Sequence, residues 1–195
     1  RRIWRKSEGL GSGVLISKEA LSDWADQLAW GDVLSILTID EAIRDPAVIA
    51  SLMEQEEADR NDSSTEYGGG LWATDAVPGA PARPKWGVDL SKPGFVAHGY
   101  AARPAQRIND RTFVASDEMF SAEGAGGRAL AHYHFHAQTV NNSSYAGPGQ
   151  GDFEYAMTHG RACVVFTSVR KGVLNADYYQ RNGACVDLGE VTISR

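Results

Sequence analysis

Three histidines alternate with other residues in the segment 130–136, which reads Leu-Ala-His-Tyr-His-Phe-His. Successive side chains of a β-strand point to opposite faces of its sheet, so His132, His134 and His136 would project from one face. The alternation therefore predicts a strand over 129–136 with imidazoles along one side. Because neutral imidazole nitrogens are common zinc ligands, this face also indicates a metal site.

A carboxylate often completes a zinc site, and Asp152 is the expected one. It follows a polar, glycine-bearing loop over 141–151 that is long enough to return to the end of the histidine strand. We expect a helix from Asp152 to Gly160. Glu154 competes, but it would lie about 200° round that helix from Asp152, so only one of the two can face a metal. Asp152 could also be an ordinary N-cap residue.

Helix signals precede the histidine segment. Apolar residues recur at helical spacing over 18–30, which predicts an amphipathic helix that ends at Gly31. Asp45 followed by Pro46 is typical of an N-cap with proline in the first helical position, and it predicts a helix over 46–57. We expect a solvated acidic end to this helix, formed by Glu54, Glu56, Glu57 and Asp59.

Strand signals occupy much of the remaining chain. The glycine-rich segment 67–72 predicts a strand that lets another backbone or a ligand come close. Asn182 and Gly183 are the strongest hairpin signal, and they predict the pairing of strands near 173–179 and 184–188. Further strands are expected at 95–101, 112–115 and 162–168.

Four elements in this order resemble the signature of the JAB/MPN (JAMM) metalloprotease family. That signature has a glutamate on a glycine-rich strand after a helix, a later strand ending in a His-x-His pair, and a loop closing on Ser-x-x-Asp at a helix start. Here Glu66 precedes Tyr-Gly-Gly-Gly-Leu, and the later strand ends in His134 and His136. The loop closes on Gly-Gln-Gly before Asp152. The resemblance covers the chain from about residue 46 to about residue 188.

The resemblance implies an α/β or α+β fold in which a central mixed, mostly antiparallel sheet is flanked by helices. A single JAMM-like domain would span 46–195, and residues 1–45 would form an N-terminal helical extension. The implied activity is zinc-dependent hydrolysis of a peptide or isopeptide bond in a protein or peptide substrate. A ubiquitin-like tail is the family's common substrate, and its transfer to this chain is analogy.

The resemblance also implies a role for each matched residue. His134, His136 and Asp152 would bind one zinc ion, and Glu66 would be the general base that takes a proton from metal-bound water. These roles depend on the position of each residue in the family's motif.

The family's serine, whose hydroxyl would bind the developing oxyanion, is replaced by Gly149, and the loop before it is longer than usual. Ser143, Ser144 or Tyr145 in that loop is a candidate to supply the hydroxyl. His132 is expected to line the pocket or support a ligand rather than to bind the metal.

Two alternative functions follow from the same residues. Gly149 would suit a JAMM-like scaffold that binds zinc with little or no turnover. A cupin-like metal oxygenase is the other alternative, because Gly126, His132, His134 and Gln138 loosely follow that family's first motif. Gln138 stands where a glutamate would be expected, however.

Composition argues against other partners. Among 195 residues, 19 Lys and Arg face 25 Asp and Glu, and the basic residues are scattered, so nucleic acid is not an expected partner. The apolar stretches are too short to span a bilayer, which predicts a soluble domain. The opening Arg1 suits a truncated or processed N-terminus, and the sequence carries no signal for a compartment or an oligomeric state.

Cys163 and Cys185 would be buried thiols or, on neighbouring strands, a disulfide.

Overall fold

A computed structural model describes residues 3–6, 13–17, 28–62, 66–74, 99–105, 120, 127–137 and 146–193. Three helices and eight strands lie within these residues. In chain order they are β1 (Ile3–Lys6), β2 (Gly13–Ser17), α1 (Trp30–Ala42), α2 (Pro46–Asn61), β3 (Gly68–Thr74), β4 (Gly99–Pro104), β5 (Gly127–His136), α3 (Gln150–His159), β6 (Cys163–Arg170), β7 (Val173–Tyr179) and β8 (Cys185–Thr192).

Strands β3 to β8 form one sheet in the order β4-β3-β5-β6-β7-β8, and β1 pairs with β2 in a two-stranded sheet. The strands β5 and β6 are parallel, since α3 carries the chain across between them, and the other neighbours in the large sheet are antiparallel. The expected α+β fold with a mixed, mostly antiparallel sheet is therefore confirmed. The parallel pair in the large sheet also differs from the antiparallel jelly roll of cupins, which argues against the cupin-like alternative.

The two faces of the large sheet carry different residues because side chains alternate along each strand. On one face, Tyr133, Phe135 and Phe166 belong to a buried apolar cluster that also includes Ile39 of α1 and Leu52 of α2. Full burial of one such side chain is worth about 1.5–3 kcal/mol. The opposite face carries the histidines of β5, and there α3 contributes to a smaller cluster of Phe153, Tyr155, Ala156, Cys163, Val165, Tyr179 and Cys185. The histidines therefore lie on the face that α3 covers.

The start of α2 confirms the local signal in the sequence. The Ala47 N–H donates to the Asp45 carboxylate at 2.9 Å, and Pro46 is the first residue of the helix, which continues to Asn61. The expected helix end at Gly31 was wrong, because Gly31 lies in the first turn of α1. No helix among the residues described above is both long and apolar enough to cross a membrane.

Several expected elements lie wholly or largely outside the described residues. These are the helix over 18–30, the strand over 112–115 and the first part of the strand over 95–101, whose described end forms β4. The division of the chain at residue 45 stays a prediction. Ile36 and Ile39 of α1 belong to the same buried cluster as the sheet residues.

The acidic end of α2 is not simply solvated, which corrects the expectation for Glu56 and Asp59. These side chains are only 2% and 5% exposed. They follow Leu52 by one and two helical turns and so share its buried stripe. Glu56 accepts hydrogen bonds from the Ser168 hydroxyl at 2.7 Å and from Arg60 at 3.0 Å. The bond from Ser168 attaches α2 to β6.

The hairpin between β7 and β8 forms where it was expected. Gly183 adopts a left-handed conformation with φ of +84°, and the Asn182 side chain accepts the Ala184 N–H at 3.0 Å. Cys163 and Cys185 lie on strands that flank β7, so they are not neighbours, and both are buried free thiols. The disulfide alternative is therefore wrong.

Candidate metal centre

The glycine-rich strand β3 brings three strands close together at the site. A side chain at Gly69 would collide with the Arg103 carbonyl of β4, and one at Gly70 would meet the Trp72 ring nitrogen at 2.7 Å. Only a residue without Cβ fits the approach at Gly69. The expected close approach of another backbone to this segment is confirmed.

The pairing of β3 with β5 places Glu66 beside the histidines. Gly68 lies opposite His134 in the antiparallel register, and the Phe135 N–H donates to the Tyr67 carbonyl at 3.1 Å. One residue earlier, Glu66 falls across from the last histidine of β5. The register alone therefore brings a carboxylate from before β3 to the carboxyl end of β5.

Four side chains meet at this end of the sheet. The Nε2 atom of His134 lies 3.0 Å from Oδ1 of Asp152 and 3.6 Å from Oε1 of Glu66. The Nε2 atom of His136 lies 3.2 Å from Nε2 of His134 and 3.7 Å from Oδ2 of Asp152. Ligand atoms of Glu66, His134 and His136 all fall within 4.8 Å of one another, so this group could hold a metal ion. Two imidazoles with carboxylates form a donor set that suits zinc.

Asp152 reaches the site from the first turn of α3. The helix begins at Gln150 with Gly149 as its N-cap residue, so Asp152 is the third helical residue and the ordinary N-cap alternative is wrong. Its Oδ2 atom accepts the Gly149 N–H at 2.5 Å, while Oδ1 faces His134. The competing carboxylate, Glu154, is exposed and accepts a hydrogen bond from Gln150 at 2.9 Å.

The electrostatics of the cluster favour a positive charge at its centre. Burial lowers the pKa of His134, but the charge and hydrogen bond of Asp152 and the charge of Glu66 raise it to about 9. Burial alone would raise the pKa of Asp152, yet His134 and His136 hold it below its usual value. A proton and a metal cation are alternative occupants of such a site, since a zinc-bound imidazole nitrogen must be deprotonated.

His132 lies on the same face but outside the cluster. Its ring packs against Tyr155 of α3 with 4.5 Å between centroids, and it stacks on His134 at 5.7 Å. Burial, followed by the charge of His134, lowers its pKa well below the usual range. His132 is thus in contact with His134, and its role as a pocket or supporting residue stays a prediction.

Asp59 is a carboxylate near the site that sequence analysis missed. It is buried at the end of α2, where it accepts the Tyr67 N–H at 3.4 Å. Burial raises its pKa to about 7, the hydrogen bond from Tyr67 opposes this, and the charge of Glu66 adds to it. The sequence signal for its burial was its position seven residues after Leu52, which places both side chains on the same face of α2. Asp59 thus binds the backbone of the residue next to Glu66.

The structure also bears on the departures from the JAMM signature. Ser143, Ser144 and Tyr145 fall in the loop outside the described residues, as do Gly126 and Gln138 of the cupin-like motif. Gly149 has φ of −92° and ψ of −178°, an extended conformation open to any residue. Among the residues that the structure describes, a side chain there would meet only Asp152 Oδ2, at 3.6 Å, so these residues leave room for serine.

Comparisons with models of protein families, with curated proteins and with solved structures find no match to this chain.

Proposed function

We propose that this protein is a zinc-dependent hydrolase of the JAMM type that cleaves a peptide or isopeptide bond. The observation that carries the proposal is the convergence of Glu66, His134, His136 and Asp152 from distant parts of the chain. Their order along the chain and their positions on strand and helix also agree with the signature that the sequence resembles. A protein or peptide is therefore the proposed substrate, with a ubiquitin-like tail as an analogy from the family.

Asp152 is the better zinc ligand of the two carboxylates. Its two oxygens lie toward different imidazoles, at 3.0 Å from His134 and 3.7 Å from His136. Its side chain is 18% exposed, whereas that of Glu66 is 32% exposed. A ligand benefits from this fixed, half-buried position, while a general base needs access to water and substrate. We therefore assign His134, His136 and Asp152 to the metal.

Glu66 is the proposed general base. Bound zinc would polarise the scissile carbonyl and lower the pKa of a coordinated water. Glu66 would accept the proton of that water and pass it to the leaving amine. Asp59 would keep Glu66 in place through the Tyr67 N–H. His132, neutral and packed against His134, would fix the orientation of that ligand.

Metal analysis of purified variants separates these roles. We expect about one zinc per chain in the wild type, almost none in His134→Ala or His136→Ala, and a large loss in Asp152→Asn. Glu66→Gln should keep the zinc and lose most hydrolysis, because an amide cannot accept the proton. Glu154→Gln is the matched control, since this exposed carboxylate shares α3 with Asp152.

Two outcomes would contradict the assignment. If Glu66→Gln loses the metal while Asp152→Asn keeps it, then Glu66 is the third ligand and the base lies elsewhere. A wild-type protein that binds no zinc even after incubation with the ion would remove the basis of the proposed hydrolase.

Gly149 favours a second candidate function, a zinc-binding scaffold with little turnover. Glycine has no hydroxyl to bind a developing oxyanion, and removal of one such donor costs about 10² to 10³ in turnover. The scaffold would bind zinc through the same residues as the hydrolase. Full zinc content together with no cleavage of peptide or isopeptide substrates, before and after Gly149→Ser, would favour the scaffold.

A further inference from the structure

Thr167 lies beside the metal centre on β6, and the proposed hydrolysis assigns it no role. It pairs with His136 in the parallel register of β5 and β6, so both side chains project from the same face of the sheet. Thr167 is only 4% exposed, and its hydroxyl oxygen accepts the Gly147 N–H at 3.0 Å. A buried side chain of the sheet thus holds the backbone that leads into α3.

The segment from Gly147 to Gly149 is short and stiff. Gly147 has φ of +67°, a left-handed conformation that favours glycine. Pro148 is buried, and its ring fixes its own φ at about −65°. Gly149 is extended where α3 begins. A displacement of Gly147 would therefore reach Gly149, because the proline removes one of the dihedral angles that could absorb it.

Gly149 in turn holds the carboxylate of Asp152. The Gly149 N–H donates to Oδ2 of Asp152 at 2.5 Å, and the other oxygen, Oδ1, lies 3.0 Å from Nε2 of His134. A hydrogen bond from a backbone N–H to a carboxylate is charge-assisted, so it is stronger than a bond between neutral groups. Two hydrogen bonds and a stiff three-residue segment thus connect Thr167 to Asp152.

We propose that Thr167 is a positioning residue of the metal centre, which holds Asp152 in its metal-binding orientation through the segment 147–149. The inference rests on the proposed zinc site and deepens it. Removal of a group that orients a metal ligand typically lowers metal affinity by about 10- to 100-fold. Thr167 acts on Asp152 through an intervening segment, so loss of its hydroxyl should have an effect near the lower end of this range.

Competition with a chromophoric zinc chelator measures the zinc affinity of purified variants. Thr167→Val keeps the shape of the side chain but removes the acceptor, so it should weaken zinc binding about tenfold. Thr167→Ser keeps the hydroxyl and should stay near the wild-type affinity. Ser168→Ala is the matched control, because Ser168 is also buried on β6 but donates to Glu56 of α2. This control should leave zinc affinity unchanged even if it lowers stability.

A second pair of variants tests the segment rather than the hydroxyl. Gly147→Ala retains Thr167 but strains the left-handed backbone, so it should also weaken zinc binding. Gly172→Ala is the matched control, since Gly172 has φ of +73° in the turn between β6 and β7 and a side chain there would meet none of the described residues within 4 Å. The expected result is a loss of affinity in Thr167→Val and Gly147→Ala and in neither control.

Hydrogen exchange in the metal-free protein tests the same connection without zinc. Thr167→Val should raise the exchange rate of the Gly149 amide about fivefold or more, although the direct partner of Thr167 is Gly147, and Ser168→Ala should not. Unchanged zinc affinity in Thr167→Val, an equal loss in Ser168→Ala, or an unchanged Gly149 amide would overturn the positioning role and leave the proposed hydrolase intact. A wild-type protein that binds no zinc would overturn the hydrolase, and the exchange of the Gly149 amide would then decide by itself whether Thr167 positions this segment.

Discussion

Asp177 is a buried carboxyl group whose protonation should govern how stability depends on pH. It is 1% exposed on β7 and lies opposite Asp187 of β8, which is equally buried. The Asn175 amide donates to both carboxyl groups, at 3.1 Å to Asp177 and 3.3 Å to Asp187. Burial, followed by the charge of Asp187, raises the pKa of Asp177 from 3.8 to about 8. The folded protein therefore keeps this group protonated at neutral pH.

The direction of the effect follows from proton linkage. Between pH 4 and pH 8 the unfolded chain releases the proton of Asp177, while the folded chain retains it. Each rise of one pH unit in this window should then lower the free energy of unfolding by up to about 1.4 kcal/mol. The contribution of Asp177 is most favourable below about pH 4 and is lost progressively as the pH rises to about 8.

The substitution Asp177→Asn removes this dependence, because an amide resembles the protonated carboxyl group and cannot ionise. Urea unfolding of both proteins at pH 5, 6, 7 and 8 gives the difference in stability, which should shift by several kcal/mol in favour of the variant across the series. Glu190→Gln is the control on β8, where an exposed ion pair with Arg170 contributes little. A difference between Asp177→Asn and wild type that stays constant from pH 5 to pH 8 would refute the reasoning.

Three further predictions concern the metal centre and its support. Gly149→Ser should raise hydrolysis by up to about 10² to 10³ at unchanged zinc content, whereas Gly149→Ala should not, and equal rates for the two would exclude a missing hydroxyl as the cause. A zinc chelator should lower the melting temperature of the wild type but not that of His136→Ala, since only the first protein has bound metal to lose. Glu56→Ala should cost about 1–3 kcal/mol in urea unfolding by leaving Ser168 and Arg60 without their acceptor, whereas the exposed Glu57→Ala should stay within about 0.5 kcal/mol of wild type.

Local signals in the sequence predicted the elements that depend on local physics. The alternation of β5, the cap at Asp45, the turn at Gly183 and the left-handed Gly160 at the end of α3 were all found within a residue or two of their predicted places. Each is determined by side-chain alternation, capping or glycine conformation within a few neighbours. The predicted helix end at Gly31 was wrong because glycine often ends helices but is also tolerated in the first turn of a helix.

Burial of charged residues on α2 was missed because it depends on partners far along the chain. Glu56 bonds to Ser168, which is 112 residues away, and no local pattern names that partner. A run of acidic residues ordinarily indicates a solvated face, so these residues were predicted to be exposed. Glu56 and Asp59 instead continue the buried face of α2 that includes Leu52. The Asp177 and Asp187 pair lies within the predicted hairpin, but the turn signal at Asn182 and Gly183 does not by itself determine which residues face each other, and it is the register of β7 with β8 that brings the two together.

The position of Asp152 shows how topology, rather than proximity in sequence, assembles the site. Because β5 and β6 are parallel, the chain must return to the starting end of the sheet before β6 can begin, and α3 makes that return. A helix that runs back in this way has its first turn at the carboxyl end of β5, where His134 and His136 lie. Asp152 in that first turn is therefore brought to the histidines by the crossover itself. Glu66 arrives at the same end through the antiparallel pairing of β3 on the other side of β5. The two carboxylates thus come to β5 from opposite sides, Asp152 from the crossover to β6 and Glu66 from β3, so an error in the register of either neighbouring strand would separate one carboxylate from the imidazoles.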